Sequence, residues 1–245
     1  MRLATPSDVQ RIEDVCNHPL IRVWTACDGA PPCSGAQYVT APSFSVVGDE
    51  GCFLAKHLDP GRYAIHTNLL PEFRGELAVQ AAKSALAVAF LQTDATELVT
   101  FVPATIPHAK LLARRMGFRF LFNRAAIWPV NGERHGMEFY SLSIDDWIAS
   151  GVCQAAGAAF HDRLHNSLHV TAHARDPIHD AYVGAAVEMI RAGNARKAIT
   201  FYNRWARFAF YEPVEILSEV PLRIDIRQCV LRVEGDQFFM EASHA

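Results

Sequence analysis

His66-Thr67-Asn68-Leu69-Leu70 runs directly into Pro71-Glu72-Phe73-Arg74-Gly75, and that into Glu76-Leu77-Ala78. The first group closes a strand-like run that begins at Arg62. The second is a loop. The third opens a stretch rich in Ala and Leu, and the pattern predicts a helix over about 75–93. Upstream, residues 44–47 and 52–56 are strand-like and are separated by the turn Gly48-Asp49-Glu50-Gly51. Further back, Thr5-Pro6-Ser7-Asp8 caps a helix that carries Val9, Ile12 and Val15 at helical spacing and stops at Asn17-His18-Pro19. Residues 25–42 are rich in Gly, Pro, Ser and Cys and read as loop.

Downstream, 97–102 predicts a strand, 107–116 a helix, and 118–122 and 137–142 two further strands, ending at Ile144-Asp145-Asp146-Trp147. Strand, helix, strand, helix and strand after an antiparallel meander imply an α/β fold, a mixed central sheet with helices on its faces. The last third differs. Residues 155–166, 177–191 and 195–210 read as helices, and 213–240 as short strands with a turn at Glu234-Gly235-Asp236. We place the boundary near Ser150-Gly151, which gives a first domain at 1–150 and a smaller α+β domain at 151–245.

The order of elements up to Trp147 resembles the GNAT (N-acetyltransferase) superfamily. The run from His66 to Ala78 resembles that family's pyrophosphate loop, in which an Arg-Gly pair is followed by two more glycines at alternate positions. Backbone N–H groups at the start of the next helix meet the phosphates there, and glycines let the backbone come close. A second phrase, Ile106-Pro107-His108-Ala109 through Leu112-Ala113 to Met116-Gly117-Phe118, resembles the family's unit of Asn-x-x-Ala, a Tyr, and Gly-Phe. The resemblance implies acetyl-CoA as co-substrate and Leu69, Leu70, Arg74, Gly75, Glu76, Leu77 and Ala78 as its binding loop.

This loop departs from the family pattern. Leu77 and Val79 stand in place of the second and third glycines, where their side chains are expected to crowd the pyrophosphate, and Glu76 adds negative charge. Ile106 replaces the Asn. Ala113 replaces the Tyr that protonates the departing thiolate, and a methyl group is no general acid. Backbone groups around 68–70 are still expected to hold an acyl amide. Glu72 and His66 are the candidate bases; the plainer alternatives are a solvated loop residue and a strand histidine.

Asn17-His18-Pro19-Leu20-Ile21-Arg22-Val23-Trp24 resembles a phrase from a phage-encoded GNAT-like group, as does the pairing of His66-Thr67 with Pro71-Glu72-x-Arg74-Gly75. His179-Asp180-x-x-Val183-Gly184-Ala185-Ala186 and Phe201-Tyr202-Asn203-Arg204-Trp205-Ala206 resemble phrases from tailed-phage and prophage proteins. That resemblance implies other phage or virion proteins as partners, a place in the host cytoplasm or the virion, and leaves an oligomer open.

His161, His165, His169 and His173 recur every fourth residue, a spacing that puts them on one face of a helix. A metal site and a polar solvated face are the two readings; the spacing holds no Glu between the histidines, and the second is preferred. Phe201, Trp205 and Phe208 share the spacing of one buried helix face, which favours core packing over nucleic-acid stacking despite Arg204 and Arg207.

Composition narrows the classes. The chain has 245 residues, half of them hydrophobic, with a net charge of −3. No strongly basic surface for nucleic acid follows from this. No apolar run approaches membrane-spanning length. Cys16, Cys27, Cys33, Cys52, Cys153 and Cys229 form no CxxC pair and read as reduced thiols; Cys27 and Cys33 are placed to meet across their loop. Two readings of function stand: a GNAT-fold phage-type protein with a degenerate acetyl-CoA site and no cofactor, acting by protein–protein binding in a virion or its assembly, and an active acetyl-CoA-dependent N-acetyltransferase with a non-standard acid.

Overall fold

The computed structural model describes residues 1–153, 157–158, 160, 162, 176–209, 211–219, 221–226, 229–234 and 237–242. The chain divides into two compact units, Met1–Asp146 and Trp147–Ala245.

In the first unit, seven strands form one sheet: β1 (Arg2–Leu3), β2 (Phe44–Gly48), β3 (Gly51–Asp59), β4 (Arg62–Leu69), β5 (Glu97–Pro103), β6 (Arg119–Val130) and β7 (Glu133–Ser143). Their order is β1-β2-β3-β4-β5-β7-β6. Every neighbouring pair is antiparallel except β4 and β5. The exception has a cause. The long helix α3 (Glu76–Gln92) carries the chain from the end of β4 to the start of β5, and parallel neighbours need such a crossover.

The period of two along each strand gives the faces different partners. On one face, Cys52 and Leu54 of β3 pack with Ile12, Val15 and Cys16 of α1 (Val9–Cys16) and Ile21 of α2 (Pro19–Thr25). On the other, the Tyr63 hydroxyl donates to Asp94, just beyond α3, at 2.5 Å. Ala78, Ala81, Ala82, Ala85 and Ala89 of α3 are buried, a small-residue face that lets a helix lie close to its neighbours. α4 (Pro107–Arg115) follows β5.

Two sequence expectations need correction here. Pro19 does not only end a helix; it starts the next one. It occupies the first turn of α2, and His18 caps it by accepting the Leu20 N–H on Nδ1 at 3.3 Å. The strand expected at 118–122 continues to Val130, because register shifts at Phe120/Phe122 and Arg124/Trp128 absorb its irregular stretch. The thiols also sort differently. Cys16, Cys27, Cys33, Cys52 and Cys153 are all free thiols; Cys16 Sγ lies 3.5 Å from Cys52 Sγ, and Cys16 also interacts with Cys33.

α5 (Ile144–Ala149) spans the boundary between the units. In the second unit, α6 (Pro177–Arg191) and α7 (Ala195–Phe208) flank Gly193, whose φ of +82° suits the tight turn. Asp176 caps α6 by accepting the Ile178 N–H at 2.9 Å. A side chain at Gly184 would place its Cβ 2.0 Å from the Cys153 carbonyl oxygen, so α6 and that backbone meet where only glycine fits. Four strands, β8 (Glu215–Glu219), β9 (Leu222–Asp225), β10 (Cys229–Glu234) and β11 (Gln237–Ala242), form an antiparallel sheet in the order β11-β10-β9-β8.

The aromatic stripe of α7 is only partly as expected. Phe201 is buried and Trp205 half-buried. Tyr182 stacks on Trp205 at 4.4 Å and Tyr211 at 5.1 Å. Phe208, by contrast, is 86% exposed at the C-terminal end of α7.

Candidate functional site

The parallel pair β4–β5 is joined only through Arg62↔Glu97, Tyr63↔Leu98 and Ala64↔Val99. Beyond these residues β4 stays with β3 and β5 stays with β7, so the two strands part as a wedge. The backbone of β4 faces it in a defined phase. Leu70 N–H donates to the Glu50 carbonyl at 2.9 Å, on the β3 side. Alternation then directs the N–H and C=O of Asn68 toward β3 as well, and those of Thr67 and Leu69 toward the wedge. Arg74 marks that direction, for its guanidinium donates to the Leu69 carbonyl at 3.1 Å. Of the 68–70 backbone expected to hold an acyl amide, only Leu69 faces the wedge.

A cavity of about 450 Å³ occupies the wedge. It reaches both faces of the sheet, since the consecutive residues Thr100, Phe101, Val102 and Pro103 all line it and neighbours along a strand point to opposite faces. On the α3 side its walls include Leu69, Arg74, Gly75, Ala78 and Val79, with Ala109 and Ala113 of α4. On the α2 side they include Trp24, His66, Phe101, Trp128 and Met137.

Four of the seven loop residues expected to hold the cofactor line this cavity: Leu69, Arg74, Gly75 and Ala78. Leu70 packs instead against the cluster under α1. Glu76 turns along its own helix, accepting from the Gln80 amide at 2.9 Å. Leu77 is 56% exposed and is not among the lining residues, whereas the buried Val79 does line the wall. Gly75 caps α3 with φ +61° and ψ −125°, a conformation nearly reserved for glycine. The helical hydrogen bonds start with Val79 N–H to Gly75 O, at 3.3 Å, so the N–H groups of Glu76, Leu77 and Ala78 are left for another acceptor. Together with Arg74 they favour an anion at this end of the cavity.

Of the two candidate bases, the exposed Glu72 is not a lining residue, whereas His66 is. The His66 ring meets Phe101 edge-on at 4.5 Å. Burial, and then the charge of Lys56, hold its pKa down to about 4, so the imidazole is neutral at neutral pH. Ile106 and Ala113 are buried in the cavity wall, and among the described residues no tyrosine lines it. His108, on the first turn of α4, is a proton-bearing lining group that the sequence reading passed over; its ring meets Trp24 edge-on at 6.2 Å. His161, His165, His169 and His173 lie outside the described residues. Among the described residues no group of three or more His, Cys, Asp or Glu is placed to hold a metal ion, and no helix is long and apolar enough to cross a membrane.

No protein-family model and no curated protein matches the chain. Solved structures do. Spermidine N-acetyltransferase from Vibrio cholerae, in complex with CoA and spermine, is 15% identical over 60% of this chain and 96% of its own, with a TM-score of 0.50. A protein from Chromobacterium violaceum described as a probable acetyltransferase of the GNAT family is 19% identical over 59% of this chain and 82% of its own, at 0.44. An N-acetyltransferase from Staphylococcus aureus is 10% identical over 58% and 95%, also at 0.44. The first of these establishes the fold: a GNAT-like mixed sheet flanked by helices, accompanied here by a smaller C-terminal unit with its own antiparallel sheet.

Proposed function

We propose that the chain is an acyl-CoA-dependent N-acyltransferase whose site works without the family's usual glycines and tyrosine. The observation that carries this reading is the open wedge between β4 and β5, with a bare helix N-terminus at one end and strand backbone along its side. A purely structural role in a virion rests on the phage-type phrases, the altered glycine loop, the missing Asn and Tyr and the added C-terminal part, and a crevice filled by Leu77, Ile106 and their neighbours would favour it; Ile106 lines the wall and Leu77 does not, and a cavity remains between β4 and β5.

The residues fit acetyl-CoA in three places. The N–H groups at the start of α3, with Arg74 beside them, would receive the pyrophosphate. Thr67 and Leu69 would hold the pantetheine amides as a neighbouring strand would. A β4 N–H would polarise the thioester carbonyl, and such preorganised donors are a large part of acyl-transfer catalysis. Bound there, acetyl-CoA supplies the activated acyl group. Ala113 gives no proton to the departing sulfur, which leaves His108 or water to do so.

Transfer itself is the test. The full chain is incubated with acetyl-CoA and a panel of alkylamines, aromatic amines and peptide N-termini, and free thiol and acetylated products are measured. The reading predicts amine-dependent thiol release, reduced at least tenfold in Ala109→Trp, which fills the cavity wall. Thiol release that no amine stimulates, or that Ala109→Trp leaves unchanged, overturns it.

A further inference from the structure

The α2 side of the cavity has a chemistry of its own. Its lining is aromatic: Trp24 from α2, Phe101 from β5, Trp128 from β6, and the edge of the His66 imidazole. Phe101 continues into Phe139 of β7 at 5.8 Å, and Phe139 stacks on Phe122 of β6 at 4.6 Å, so a row of rings crosses four strands on this face. Trp24 and Trp128 are held relative to one another. Asp28, three residues beyond α2, accepts the N–H groups of Asn131 and Gly132 at 2.9 and 2.8 Å, and its own N–H donates to the Pro129 carbonyl at 2.9 Å. The end of α2 is thereby tied to the β6–β7 turn, and the two indoles stand on parts that move together.

Charge is the second observation. Among the described residues lining the cavity there is no Asp or Glu; the ionisable lining groups are His66, His108, Arg74 and Arg115. A polyamine or a lysine side chain enters as a cation; aromatic faces attract one, but the described lining of this cavity supplies no carboxylate to pair with it or to take up its proton. This cavity offers aromatic faces and neutral or positive groups.

We propose that the acyl acceptor is a weakly basic aromatic amine, its ring held between Trp24, Phe101 and Trp128 and its nitrogen directed through the wedge toward β4. The inference rests on the transferase reading and deepens it by naming the acceptor class. Flat rings stacked or edge-on against such walls gain attraction beyond that of burial alone. An amino group carried directly on an aromatic ring is uncharged near neutral pH and presents its lone pair without a base to strip a proton first. The poor basicity of His66 agrees with this, since a group held near pKa 4 cannot deprotonate an alkylammonium at neutral pH. In the step itself the amine nitrogen bonds to the thioester carbonyl carbon, the carbon–sulfur bond breaks with its electron pair going to sulfur, and the proton lost from nitrogen ends on that sulfur. The products are the N-acetyl arylamine and CoA thiol.

The experiment uses the full chain, acetyl-CoA, and three amines at neutral pH: 4-methylaniline, 2-phenylethylamine and spermidine. Expected is a kcat/KM at least tenfold higher for 4-methylaniline than for either alkylamine, with KM for it raised about tenfold in Trp128→Leu. Circular dichroism of that variant checks that the fold is kept, and quenching of tryptophan emission by 4-methylaniline in the presence of CoA reads occupancy without turnover. Preference for spermidine or 2-phenylethylamine overturns the acceptor assignment and leaves the transferase reading in place. So does a Trp128→Leu protein that is folded and unchanged in KM and quenching. Failure of acetyl-CoA to bind at all overturns both.

Discussion

Arg74 donates from its guanidinium to the backbone carbonyl of Leu69 at 3.1 Å, across the loop that joins β4 to α3. One side chain thus closes the wedge-facing end of β4 and draws the start of α3 onto it. Arg74→Ala removes a charge-assisted hydrogen bond and a cation from the anion end of the cavity. It should weaken CoA binding about tenfold, equivalent to about 1.4 kcal/mol, with little change in thermal midpoint because Arg74 is exposed. Titration of CoA into parent and variant checks this; equal affinities would mean that the loop holds its shape without Arg74.

Gly75 tests the same loop through the backbone. An added Cβ would meet nothing within 4 Å, so the cost of Gly75→Ala is conformational alone, about 1–3 kcal/mol for a non-glycine residue at φ +61° and ψ −125°. The thermal midpoint should fall, and CoA affinity with it as the helix start reorients. An unchanged midpoint would show that this φ is not required.

His66 gives a pH dependence of known sign. Its folded pKa is about 4, against an ordinary value of 6.5. Between those values the unfolded chain binds a proton that the folded chain refuses, so this group's contribution to stability is full above pH 6.5 and is lost as pH falls toward 4. Urea unfolding at pH 7 and pH 5 should show a larger loss for the parent than for His66→Phe. Parallel losses would place the His66 ring in water.

Much of the first unit was legible from pattern. The strands at 62–69 and 97–102 and the helix at 75–93 fall within a residue or two of β4, β5 and α3, because their apolar runs are long and their ends carry Pro or Gly. α2 was not, since seven residues carry little periodicity and Pro19 serves as a start where a stop was read. The place of the crevice, between the strands ending at Leu70 and Val102, follows from the resemblance, but whether it is open was illegible for a different reason. It exists because β4 and β5 stop pairing after Ala64 and Val99, a non-local event with no local composition. Which of the two residues in place of glycines lines the cavity was not legible either: Val79 is buried in its wall, while Leu77 on the first turn of α3 is exposed. Trp24, Phe101, His108 and Trp128 come from four separate elements and converge only in the fold.

In the second unit, the same helix offers a contrast. Trp205 lies between Tyr182 and Tyr211, whereas Phe208 three residues on is 86% exposed. Trp205→Ala should cost about 2–4 kcal/mol, somewhat less than a fully buried aromatic. Phe208→Ser should stay within about 0.5 kcal/mol. Denaturant melts of the two variants beside the parent separate them. Equal effects would mean that the end of α7 is covered in solution.

The central claim is that the wedge between β4 and β5 receives acetyl-CoA despite Leu77 and Val79 in place of glycines. Calorimetric titration of acetyl-CoA into the full chain tests it most directly. The account predicts saturable binding, one molecule per chain, with a Kd in the micromolar range, lost in Ala109→Trp while the variant keeps its circular dichroism spectrum. No saturable heat at millimolar acetyl-CoA, or binding that Ala109→Trp leaves intact, would contradict it.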